Sequence, residues 1–154
     1  MVTAQRVLDK LGVNLLLQYV SGRFATLDVY PTTEDVVAAL SDEAATELQL
    51  QIARWYQESV VQVQSVITGY IAKFALTAEQ LDDSMVPGIA IDLLNYELCP
   101  NPSDDVRGRK DYALGLLKQI ERGAITLVQS GPRRIASTGL ATRKAGTRFN
   151  WEGY

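Results

Sequence analysis

Apolar residues spaced three and four apart dominate this chain, and they lay out a series of helices. Thr3 is placed to cap a short helix over Ala4 to Leu11, and Gly12 to end it. The next run, VNLLLQYV at 13–20, is apolar throughout and fits either helical turns or a short buried strand, since periodicity does not separate the two. Ser21-Gly22 breaks the pattern, and Arg23 to Tyr30 alternates weakly, which predicts extended chain or loop. Pro31-Thr32-Thr33 then opens a helix, with Thr33 as its cap ahead of Glu34 and Asp35.

From Asp42 to Phe74 the pattern is mostly helical. Val60, Val63, Ile67, Tyr70, Ile71 and Phe74 fall on one stripe. Within it, LQLQI at 48–52 alternates as a strand would, but the length and flanks of the segment favour helix. The β-branched load lowers intrinsic helix propensity, so burial of the stripe has to hold the helix. Leu76 to Ser84 reads as a linker, and Pro87 sits where the first turn of a helix tolerates it. Ile89, Ala90, Ile91, Leu93 and Leu94 make that helix apolar on most sides, as for the central helix of a bundle. Cys99-Pro100-Asn101-Pro102 stops it. Ser103 caps the next, Asp104 and Asp105 lie in its first turn, and Val106, Ala113, Leu116, Leu117 and Ile120 face inward up to Gly123. These two helices form an antiparallel hairpin. The expected core includes Ile67, Ile71, Ile91, Leu94, Leu117 and Ile120. The fold class is therefore all-α: a helical bundle over residues 1–130, with an extended C-terminal arm over 131–154. ITLVQ, at 125–129, has the composition of a short β-strand leading into the arm.

Composition sharpens this picture. The chain's 154 residues suit one domain with a real core, and 47% hydrophobic with 21% charged residues is an ordinary globular balance. Neither an apolar run long enough to span a bilayer nor the apolar stretch of a signal peptide occurs, so no membrane is expected as a partner. Charge is divided unevenly. Ten bases and seventeen acids give residues 1–130 a charge of −7, while five bases and one acid give residues 131–154 a charge of +4. An acidic body with a basic arm is a polarity suited to self-association or partner binding.

Candidate chemistry is sparse. The chain has no histidine, which removes the commonest general base and metal ligand, and the serines therefore lack the partner of a conventional triad. Cys99 is the single cysteine, which fits a reducing compartment and reads as a half-buried small hydrophobe at a helix end. Asp82/Asp83 and Asp104/Asp105 read as helix-start acids, and Lys110 and Lys118 as solvent-facing cations. GPRRIASTG lacks the spacing of a phosphate loop. No enzyme, cofactor or metal site is expected. The candidate site is instead the arm, where Arg133, Arg134, Arg143, Lys144 and Arg148 accompany Phe149, Trp151 and Tyr154. Such a set serves a protein partner through pocket-filling aromatics, or nucleic acid through phosphate contacts and base stacking.

The order of phrases ITGYIAKFAL, VPGIAIDLLNYEL and DDVRGRKDYALGLLKQIERGAITL resembles the Mu-like bacteriophage neck-protein family of head-to-tail connectors. The likeness is carried by Ile67, Tyr70, Ile71, Phe74, Val86, Pro87, Ile91, Tyr96, Leu98, Arg109, Tyr112, Ala113, Leu117, Ile120, Gly123 and Leu127. TAQRVLDKLG and TRFNWEGY are similar to the family's opening and ending, so the resemblance covers about two-thirds of the chain. The sequence departs from the pattern over Arg23 to Leu50, and Lys73-Phe74 stands where arginine-tyrosine is usual. The resemblance implies a structural virion protein in the neck, assembled in the host cytoplasm. Its partners would be other copies in a ring, the portal, and tail or neck proteins of the stopper or tail-terminator kind. DNA would pass through the lumen without sequence-specific binding. The alternative from the residues alone is a helical DNA-binding or packaging-associated protein acting through the basic arm.

Overall fold

A computed structural model of the chain describes residues 3–127. Seven α-helices and no strand are found among them: α1 (Ala4–Leu11), α2 (Val13–Phe24), α3 (Thr33–Leu40), α4 (Glu47–Ile71), α5 (Ala78–Asp82), α6 (Val86–Leu98) and α7 (Asp104–Glu121). The helical bundle read from the sequence is the observed architecture. The arm, with its expected start at residue 131, lies outside the described residues; of the strand-like run, 125–127 form no strand and Val128 and Gln129 are also outside.

Side-chain caps fix most helix starts. Thr3, Thr32, Thr46, Thr77 and Ser103 each accept a backbone N–H from the first turn of the following helix. The cap of α3 is thus Thr32 rather than Thr33. Asp35 decides this, because its carboxylate reaches back to the Thr32 N–H at 3.0 Å and closes a capping box. Residues 42–46, expected to be helical, are turn and coil, since the Thr46–Gln49 box starts α4 later. Leu76 to Ser84 is not a bare linker: a third such box, Thr77 with Gln80, nucleates α5. Asp82 and Asp83 therefore close α5 instead of opening a helix, whereas Asp104 and Asp105 do open α7.

The ambiguous run at 13–20 is helix, and α2 continues through Ser21-Gly22 to Phe24. The cause lies far away in sequence. A Cβ at Gly22 would stand 3.2 Å from Pro100 Cγ, so the glycine permits close approach of the 99–103 elbow and does not break the helix. Beyond it, the Phe24 ring meets Trp55 of α4 edge-to-face at 5.7 Å, and the Arg23 guanidinium lies 5.7 Å from the Trp55 ring.

One core runs through the bundle. It takes in Val7, Leu16 and Val20 from the first two helices, Val36 and Leu40 from α3, and Ile52, Tyr56, Val63 and Ile67 from α4. Leu94 and Leu98 of α6 and Leu117 and Ile120 of α7 complete it. All six residues expected in the core are buried. α4, 25 residues and about 37 Å long, packs against α2, α3, α6 and α7. The segment after Arg23 supplies α3, which packs on α2 and α4. α6 and α7 form the expected hairpin, and the Lys73 ammonium donates to the Glu121 carbonyl, fastening the end of α7 beside the end of α4.

Candidate interaction surface

The arm residues Arg133, Arg134, Arg143, Lys144, Arg148, Phe149, Trp151 and Tyr154 all lie outside the described residues. The surface available for contact must therefore be built from the body, and four places stand out.

The first is an apolar groove where α4, α5 and α6 meet. Ile67 and Ile71 of α4 face Val86 and Ala90 of α6, with Leu81, Pro87, Gln64 and Thr68 around them, enclosing about 100 Å³. Local bonds shape the join between α5 and α6. The Ser84 hydroxyl donates to the Leu81 carbonyl at 2.7 Å and accepts the Val86 N–H at 3.1 Å, turning the chain sharply into α6. Leu81 is the α5 residue in the groove wall, while Glu79, Asp82 and Asp83, on and just after the same helix, are exposed; Asp82 is paired with Arg6 of α1 at 3.0 Å.

The second is the turn between α2 and α3. Thr26 donates its N–H to the Val29 carbonyl at 2.9 Å, and the Val29 N–H returns to the Thr26 hydroxyl at 3.2 Å. Leu27 is carried at the tip, 93% exposed, with Tyr30 at 71% beside the buried Pro31. The third is the outward face of α4, where Val61 (62% exposed) and Val66 lie among Arg54, Gln57, Glu58, Gln62 and Ser65.

The fourth is a polar cleft of about 350 Å³ among α1, α2, α6 and α7. The buried Tyr19 hydroxyl donates to Asn95 Oδ1 at 2.9 Å, fixing α2 to α6. Burial, with the adjoining Cys99, pushes the Tyr19 phenol up to about 12. Cys99 is half-buried at the end of α6, as expected. Arg109 on the cleft wall is held by Asp105 at 3.1 Å. This arrangement binds helices together and presents no assembled acid–base pair. Sequence reasoning missed the Tyr19–Asn95 bond because its partners are 76 residues apart.

Two further side chains depart from expectation. Lys110 is not simply solvent-facing: it is half-buried, its ammonium 3.5 Å from the centre of the Tyr96 ring. Asp92 of α6 has its carboxyl pushed up by burial, an effect that Arg109 partly offsets. Among the described residues no group of three or more Cys, Asp or Glu side chains is placed to hold a metal ion. No helix among them is long and apolar enough to cross a membrane. No family model, curated protein or solved structure matches the chain.

Proposed function

We propose that this chain is a structural connector subunit of a tailed-phage neck, forming a ring between portal and tail and doing no chemistry. The observation that carries the reading is the distribution of apolar surface on the body. The Leu27–Tyr30 turn lies beside the first half of α4, through the Phe24–Trp55 contact, while the groove lined by Ile67 and Ile71 lies at the other end of the same helix. These are unlike surfaces at separated places. A two-fold dimer joins a patch to itself, whereas a ring joins one patch to a different one on the next copy. Exposed apolar residues grouped in this way are the usual mark of protein contact. The residue pattern shared with neck proteins supports the same assignment.

In this reading other copies, the portal and the adjoining tail or neck proteins are the partners, and DNA threads the lumen without sequence readout. The body's charge of −7 favours free passage of DNA over adhesion to it. It also leaves only the +4 arm for the competing DNA-binding reading.

The test is assembly. Phage heads produced without this chain should fail to join tails, and full-length protein should restore joining and appear as a ring at the portal in electron micrographs. Protein truncated after Gly131 should not restore it. Tails joining equally well with the truncated chain would remove the arm from the joint. Salt-sensitive DNA binding lost on truncation, without any ring, would favour the DNA-binding reading.

A further inference from the structure

We infer that the α4–α5–α6 groove is the seat for residues 143–154 of an adjacent copy, with the Phe149 ring on its apolar floor. This rests on the connector reading and names the contact that would join one subunit to the next.

Three features converge on it. The groove offers Ile67, Ile71, Val86 and Ala90 to a side chain from outside, on a scale suited to one ring: engineered apolar cavities of about 150 Å³ hold benzene, and this site, at about 100 Å³, is also open on one side. Phe149 fits such a space better than the larger indole of Trp151.

The charge of the neighbouring helix is of the matching sign. Glu79 and Asp83 stand exposed on and just after α5, the helix whose Leu81 lines the groove, and Asp82 adds its charge while paired with Arg6. The segment brings Arg143, Lys144 and Arg148 within six residues ahead of Phe149 and contains one acid, Glu152. A cationic run ahead of an aromatic ring suits an acidic helix beside an apolar floor. At physiological salt, screening reduces the charge term to a guide, and burial of the ring holds the contact.

Length permits the crossing. Leu127 and Ile125 pack on the core, and the end of α7 is held beside α4 by Lys73. From Leu127 to Phe149 the chain has 22 residues, which reach about 70 Å when extended, nearly twice the length of α4. A copy's own segment could make the same contacts. Exchange between copies in a closed ring keeps every one of those contacts and adds a joint, which is the logic of domain swapping.

Disulfide trapping in the full-length chain decides it. With Cys99→Ser as background, one chain carries Thr68→Cys at the groove edge and the other carries Asn150→Cys. Mixed, assembled and oxidised, they should yield a covalent dimer containing one of each. Replacing Thr68→Cys by Gln57→Cys on the outer face of α4 should reduce the dimer at least about tenfold. Phe149→Ser should reduce it about fivefold or more. Glu79→Lys with Asp83→Lys should reduce it about threefold, and less so at about 0.5 M salt. A chain carrying both cysteines that closes only on itself within assembled rings would overturn the inference. So would rings that form without the Thr68–Asn150 bond. Tail joining by wild-type protein would persist in either case, which keeps the connector reading separate.

Discussion

Asp35 shows how much one side chain can hold. Its Oδ2 accepts from the Thr32 N–H and hydroxyl, and its Oδ1 accepts from Gln49 Nε2 at 2.8 Å, so one carboxylate caps α3 and ties it to the start of α4. These hydrogen bonds, from Gln49 first and Thr32 next, hold its pKa below the ordinary 3.8. Asp35→Ala should cost about 1–2 kcal/mol, seen as a drop of about 2–6 °C in Tm. The sign of the pH dependence follows from the lowered value. The contribution is complete above 3.8 and fades as pH falls through the lower folded value, so mutant and wild type should converge in acid and differ fully at neutral pH. Asp92 works in the opposite sense. Its raised pKa means the folded state holds the proton more tightly, so stability falls as pH rises through the interval above 3.8. Asp92→Asn should raise Tm at neutral pH, by an amount a thermal melt can resolve. Leu94, 1% exposed in the middle of α6, should not tolerate a charge. Leu94→Asp should abolish cooperative melting in circular dichroism, because an unpaired buried carboxylate is among the costliest single changes.

Helices and their caps were legible wherever the signal was local. Thr3, Ser103, Pro87 and the stripe from Val60 to Ile71 need only a few neighbouring residues to be understood. What escaped depends on residues far off in the chain. Gly22 reads as a breaker until Pro100 is brought against it, and Thr32 displaces Thr33 only through the return bond from Asp35. The groove could not be read at all, since α4, α5 and α6 create it together. The arm residues singled out from composition lie outside the described residues. Gly22 offers a test at this scale. Alanine there gains about 1 kcal/mol of helix propensity against a 3.2 Å contact that Pro100 must relieve, so Gly22→Ala should leave Tm nearly unchanged. Gly22→Val adds a branch that the elbow has no room for, and should lower stability by about 1–3 kcal/mol in a urea melt.

For the molecule as a whole, the buried core among the described residues spans Val7 to Ile120 and draws on six of the seven helices. Truncation after Gly131 should leave helical content and cooperative melting intact while removing the +4 charge. Loss of the melting transition would show that the arm belongs to the core. Through the bundle runs α4, with α3 packed against it, Trp55 of its first half against the end of α2, and Ile67 and Ile71 of its last turns facing α6 across the groove. A helix about 37 Å long with partners at both ends joins two distant surfaces through one rigid rod: a tilt of about 5° at the groove end would carry the other end, beside the Leu27 turn, about 3 Å.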